Sequence, residues 1–332
     1  MKKHFLMVAM ACASVLIIGV ERVPAQQGGV SQIEQSRQEQ AKQKLKGGVA
    51  SQPIDTWGES APATTGDADL GVQQILKEKK KERPLTFFSD YSCFYTDNAA
   101  MTAANPFFDF MQVGTVGASY QHTFTPLFFG DVTYRHQFFR YSNHTDLAFD
   151  VTNPSCGLTY VAKDWWELAF YTRYDYTRLT YGNSDNEPLG GAEGTEFYKN
   201  HDVTIGLQKM FELSKAQHIY AGTAAKFGMT DYREPDQVDP QRYEYSATAG
   251  YTLDVSRWFQ TGVNYRYAYN DYIMQSGRAD GNQVVSNNYA FKLTEWATIN
   301  LSWSFTQNIS NRSERNYRNL SAGGGLAMNV RF

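Results

Sequence analysis

Cysteine and histidine are scarce in this chain, and beyond its first twenty residues there is no long hydrophobic run. Three cysteines among 332 residues cannot build a disulfide framework. One of them, Cys12, sits in the leader described below, while Cys93 and Cys156 fall on non-neighbouring segments and are expected as thiols. The six histidines form no His/Cys cluster with metal-ligand spacing, and no Gly-rich phosphate loop is present, so neither a metal nor a cofactor is expected. A balance of 31 basic to 34 acidic residues lacks the basic footprint of a nucleic-acid-binding protein. No segment after the leader reaches 18 apolar residues, which excludes a membrane-spanning helix there. What the chain does have is aromatic content: 22 Tyr, 21 Phe and 6 Trp.

The first 25 residues read as a secretory signal. Lys2 and Lys3 supply the positive start, Phe5 to Val20 the apolar run, and Val23-Pro24-Ala25 a small-residue cleavage site before Gln26. The run is short for an uncleaved anchor, and Ala9-Met10-Ala11 is a poor approach to a lipidated Cys12. Residues 26–84 are a low-complexity segment, rich in Gln and Lys and too poor in apolar positions for a packed core. A short helix is expected over 69–83, capped by Asp69 and ended by Pro84. This segment is read as periplasmic, either a spacer, a lumen plug, or a contact to peptidoglycan or a periplasmic partner.

From Leu85 onward the periodicity becomes two. Ile299, Leu301, Trp303 and Phe305 alternate with Asn300, Ser302 and Ser304, and Val263, Tyr265, Tyr267 and Tyr269 alternate with Asn264, Arg266 and Ala268. Alternation of this length marks strands with one apolar and one polar face. Twelve such runs are expected, near 85–96, 110–122, 127–141, 147–162, 165–181, 200–212, 217–231, 242–254, 257–273, 285–294, 297–310 and 317–332. Short and long connections alternate between them, and the short turns recur roughly every 40 to 50 residues, the signature of a hairpin repeat. The apolar phase runs through Leu147, Phe149 and Val151, then changes to Leu158 and Tyr160. With Pro154 between them, a bulge at 153–155 is expected.

Alternation alone leaves open which face points outward. Three features favour an apolar exterior. The polar face is built of Gly, Ser, Thr, Asn and charges. Trp166, Trp258 and Trp296 each follow a short turn, while Tyr174, Tyr176, Tyr267, Tyr269 and Tyr272 lie toward the long loops, giving two aromatic belts. The strand number is even. The fold class that follows is all-β, a transmembrane antiparallel up-and-down β-barrel over 85–332.

The closing run GGGLAMNVRF places Leu326, Met328, Val330 and Phe332 on one face. In this the chain resembles bacterial outer-membrane β-barrel proteins. The resemblance covers 85–332 in architecture and 320–332 in motif. It implies an outer-membrane location with the N-terminal segment and C-terminus in the periplasm, contact with outer-membrane lipid, and a last strand read by the barrel-assembly machinery.

By phase, the lumen receives Asp90, Asp131, Asp150, Glu167, Asp175, Asp202 and Glu244, opposed by Arg135, Arg173, Lys226, Arg266, Lys292 and Arg331. Such a set forms cross-strand ion pairs, opposed charged patches, or both. The loop 182–199 carries Asp185, Glu187, Glu193 and Glu196 and lies on the surface or folds inward as a constriction. The expected function is that of a porin, a passive channel for small hydrophilic solutes, with a non-conducting anchoring barrel as the alternative. A hydrolase is the weaker alternative. Ser142-Asn143-His144 and His201-Asp202 lie near the long-loop rim, but sequence neighbours point to opposite faces of a strand, and no catalytic residue is assigned.

Overall fold

The computed structural model describes residues 84–182, 193–232, 240–275 and 277–332. The leader, the helix expected over 69–83 and the central part of the 182–199 loop lie outside the described residues. Twelve strands follow in order: β1 (Leu85–Thr96), β2 (Asp109–Thr125), β3 (Phe128–Tyr141), β4 (Phe149–Ala162), β5 (Leu168–Tyr181), β6 (Glu196–Ser214), β7 (Gln217–Tyr232), β8 (Arg242–Ser256), β9 (Phe259–Tyr272), β10 (Ala279–Lys292), β11 (Ala297–Ser310) and β12 (Tyr317–Arg331). Each is antiparallel to its neighbour, and β1 pairs with β12 to close the barrel. A 14-residue strand at ~3.3 Å per residue, tilted ~40°, spans ~33 Å of height, enough for a bilayer's hydrocarbon core.

Closure gives the apolar alternation of the final strand its role. Phe87 stands opposite Val330, and Tyr91 opposite Leu326. The Phe332 amide donates to the Leu85 carbonyl at 2.9 Å, and its ring meets Phe87 edge-on at 5.8 Å. In lipid an unpaired edge would cost several kcal/mol per orphaned group, and here the seam is paired to its last residue. Small residues make the close approach possible: a Cβ on Gly323 would stand 2.0 Å from the Cys93 carbonyl oxygen, and one on Gly325 2.1 Å from that of Tyr91. Cys93 and Cys156 are free, on β1 and β4.

The apolar face is the outer one. Val132, Leu158, Ile205, Val263, Leu301 and Met328 are all exposed on it. Their sequence neighbours Asp131, Thr204, Asn264, Ser302 and Ala327 fall on the lumen side of the same register. A surface so apolar is stable only against lipid.

Three expectations are corrected. The β3–β4 register runs unbroken from Phe128↔Tyr160 to Phe139↔Phe149, so β4 contains no bulge at 153–155. Phe149 and Val151 instead point inward, with no exposed surface. Asp150 therefore points outward, pairing with Arg140 at 2.6 Å. β10 begins at Ala279, not 285, because Asp280-Gly281-Asn282-Gln283 carries no apolar alternation and is fixed by pairing with β9 and β11. The connection to β5 occupies residues 163–167, so β5 opens at Leu168.

The inward turn of Phe149 reflects what fills the barrel at its long-loop end. Phe94, Val113, Phe139, Phe149, Val151, Leu179 and Phe197 form a buried cluster with Ala99, and the Phe139 and Phe149 rings stack at 4.4 Å. Ala99 belongs to the connection between β1 and β2, whose Ala100 and Met101 are also buried and whose Phe107 packs on the cluster. That connection is held to the wall by Asn98, whose Nδ2 donates to the Arg318 and Thr102 carbonyls at 2.9 Å each. Asp97 also accepts the Leu320 amide at 2.7 Å. It is this loop that carries apolar residues into the mouth.

Candidate functional site

Among the described residues, the lumen gathers the largest buried charged clusters. On the β4–β5 side, Arg173 reaches Asp131 at 3.4 Å and Asp175 at 3.3 Å, and donates to the Ser155 hydroxyl at 2.8 Å. Their meeting is a product of register, since Asp131 faces Gly157, and Gly157 in turn faces Arg173. Arg135 lies on the same wall among the charges of Arg173, Asp175 and Asp90. Its Nε and Nη1 are buried with no hydrogen-bond partner among the described residues.

Across β7, β8 and β9 a second cluster forms. The Glu244 carboxylate takes Lys226 at 3.0 Å, Arg266 at 2.5 Å and Arg242 at 3.4 Å. One buried carboxylate with three cations satisfies the rule that buried charge must be paired. Arg242 was not among the residues expected here. It falls on the lumen parity of β8 directly opposite Tyr272, and only the register reveals it.

Tyr272 itself is a correction. It is buried inside the barrel beneath the Arg278 guanidinium, 3.9 Å from its ring centre, and does not join the outer belt. Arg278 pairs with Asp280 and with the Gln275 carboxamide, the latter at 2.9 Å. This network tethers the 273–278 connection to the lumen rim.

Glu167 does not line the lumen. It lies in the 163–167 turn with left-handed backbone (φ 57°), its side chain 71% exposed and 3.5 Å from Lys209. Trp166 sits beside it at the tip of the turn with φ 55°, so it projects from the short-turn end where a strand start had been expected. Trp258 and Trp296 are exposed at the same end. Lys292 closes β10 opposite Thr298, at the short-turn rim and exposed. Leu326, Met328, Val330 and Phe332 all lie on the outer face of β12.

Between the two charged clusters, β10, β11 and β12 present small, uncharged groups to the lumen at mid-height. Ser286 stands beside Ser304, Asn288 beside Ser302, and Ser302 beside Gly323. Asn288 Oδ1, Thr306 Oγ1 and, on β9, Asn270 Oδ1 are buried with no partner among the described residues. Buried carbonyl and hydroxyl oxygens of this kind are normally satisfied by water.

In both rim motifs the histidine is held by a hydrogen bond. Asp109, fully buried, accepts the backbone N–H groups of Phe110 and His144 at 2.7 and 2.9 Å and the His144 Nδ1 at 2.9 Å. His144 stacks on Phe107 at 4.0 Å. That arrangement clasps two loops together and sets no hydroxyl against the ring. His201 points outward, 2.6 Å from the Tyr174 hydroxyl, while Asp202 points inward, so the two share no face. Of the acids in the 182–199 loop, Glu196 is in β6, where it pairs with Arg178 and Lys199 at 2.7 Å each. Among the described residues, the connection between β1 and β2 folds inward.

No protein-family model and no curated protein matches the chain. Solved structures do share its fold. An outer membrane channel from Pseudomonas putida F1 aligns over 75% of this chain and 97% of its own length, at 12% identity and a TM-score of 0.51. The translocator domain of the autotransporter NalP from Neisseria meningitidis aligns over 75% of this chain and 90% of its own, at 10% identity and a TM-score of 0.40. LpxR from Salmonella typhimurium aligns over 72% and 99%, at 9% identity and a TM-score of 0.41. At these identities the likeness is one of fold, that of the bacterial outer-membrane β-barrels.

Proposed function

We propose that this chain is a narrow outer-membrane channel that admits small hydrophilic solutes by passive diffusion. The long loops face outward, and residues 26–84 and the C-terminus lie on the periplasmic side. The single observation that carries the reading is the polar strip on β10–β12. It is small and uncharged, and its buried Asn288 and Thr306 oxygens have no partner among the described residues. Such groups are satisfied by a water-filled path. Twelve strands lie between eight-stranded barrels, which side chains fill, and sixteen-stranded porins, which leave an open channel. The apolar cluster of β1–β6 narrows the lumen further, so conductance is expected to be small. The last strand supplies the element the barrel-assembly machinery would read, and the apolar exterior supplies the contact with outer-membrane lipid.

The test is planar-bilayer conductance of refolded protein from Gln26, beside protein from Leu85. Steps from both are expected if residues 26–84 are a spacer, and steps from the shorter form alone would make them a plug. Silence from both, with the barrel shown to be folded, overturns the channel. That result would favour the anchoring barrel, the reading supported by the packed cluster around Phe139 and Phe149.

A further inference from the structure

We propose that the lumen selects small zwitterions, solutes carrying an amine and a carboxylate on one molecule. The inference rests on the channel reading for its access route. Its basis is that the charges of the two lumen clusters are sorted by strand. On β1–β6, Asp90, Asp131, Asp175 and Asp202 outnumber Arg135 and Arg173, a formal excess of two negative charges. Asp175 and Asp202 stand directly opposite one another, a like-charge pair that disfavours further negative charge, with Arg173 3.3 Å from Asp175.

On β7–β9 the balance reverses. Glu244 alone answers Lys226, Arg242 and Arg266, a formal excess of two positive charges. The clusters adjoin through the register: Arg173 stands opposite Thr204, and Thr204 opposite Lys226. At mid-height the arc that completes the ring, β10–β12, is uncharged and built of small residues such as Ser302 and Gly323, with Asp280 near its long-loop end already paired with Arg278. It is flanked by Arg266 on β9 and by Asp90 on β1.

A solute in that arc lies in a field directed across the barrel, in a cavity whose low-dielectric walls concentrate it. A simple anion is drawn to the β9 flank and repelled by the β1 flank. A simple cation experiences the converse. A zwitterion engages both flanks at once and adds no net charge to a neutral ring.

Isothermal titration of the detergent-refolded protein from Gln26 with three isosteres, 4-aminobutyrate, butyrate and butylammonium, tests this without requiring conduction. The zwitterion is expected to bind at least about threefold more tightly than either ion, the worth of one solvated ion pair. The gap should close in about 1 M salt, where the screening length falls to ~3 Å. Arg266→Gln and Asp90→Asn should each remove it. Butyrate or butylammonium binding as tightly as 4-aminobutyrate overturns the proposal, as does no binding by any of the three. The comparison among ligands stands on the unsubstituted protein, so a variant that fails to fold does not blunt it. Conductance without the preference sinks the zwitterion and keeps the channel, and the preference without conductance does the reverse.

Discussion

Placing an arginine on each of two adjacent residues of β11 decides which face meets lipid. Leu301 is exposed on the outer face, and Ser302 faces the lumen between Asn288 and Gly323. Leu301 is four residues past the start of β11 at Ala297. At ~2.5 Å of height per tilted residue it stands ~10 Å into a wall ~33 Å high, within ~6 Å of the midplane. An arginine on a lipid face costs about 2–4 kcal/mol at the midplane and about 0–1 near the interfaces, so Leu301→Arg should cost about 2–3 kcal/mol. Ser302→Arg enters a polar lumen beside a glycine and should cost under ~1 kcal/mol, as solvated substitutions do. Urea titration of the two variants folded into phospholipid vesicles, followed by tryptophan emission, measures both. A larger loss from Ser302→Arg than from Leu301→Arg would refute the assignment of faces and everything built on the lumen.

Other perturbations probe separate features. Phe149→Ala removes a fully buried ring from the mouth cluster and should cost about 3–5 kcal/mol. The outward-facing Phe138→Ala, with no cavity to leave, should lose only its transfer contribution of about 1.5–3 kcal/mol. Denaturant midpoints of the two variants check the order. Glu244→Gln strips the shared partner from three cations and should cost about 3–5 kcal/mol, with the surviving channels turning more anion-selective by reversal potential. Deleting residues 99–105 withdraws Ala99 and Met101 from the mouth, and single-channel conductance should rise. Gly323→Val drives a side chain into the Cys93 carbonyl, and heat-modifiable electrophoretic mobility should report a smaller folded fraction.

Much of the barrel is legible in the sequence, because side chains alternate wherever lipid lies on one side and water on the other. β1 and β11 begin and end where their alternation does, and Arg173 with Asp175, or Lys226 with Glu244, fall on the polar parity. The misreadings share one physical origin. Near the long loops the β1–β6 side of the lumen is apolar, because Ala99 and Met101 come in from the first long connection and Phe139, Phe149 and Val151 turn inward to meet them. Alternation there inverts with no change of register, which in one strand looks like a bulge. Asp150 turns outward in that same zone, whereas Tyr272 lies on the lumen parity of β9 among Arg242 and Arg278. Glu167 failed for another reason, since a turn with two left-handed residues interrupts the phase that would have carried it inward. Arg242 carries no local signal, and only pairing across β8 and β9 brings it to Glu244.

The seam between β1 and β12 has a kinetic consequence. Every other strand pair is a hairpin whose partners are close along the chain. The seam joins Thr96 to Ser321 and is secured by a Thr96–Asn319 hydrogen bond spanning 223 positions. Loop-closure entropy grows with separation, and contacts of high sequence distance form late. Eleven hairpin contacts can therefore zip locally while two bare edges wait, and folding speed is set by the one contact of highest order. Substitutions at Gly323 or Phe332 should accordingly slow the appearance of the closed barrel far more than they change the stability of any hairpin within it.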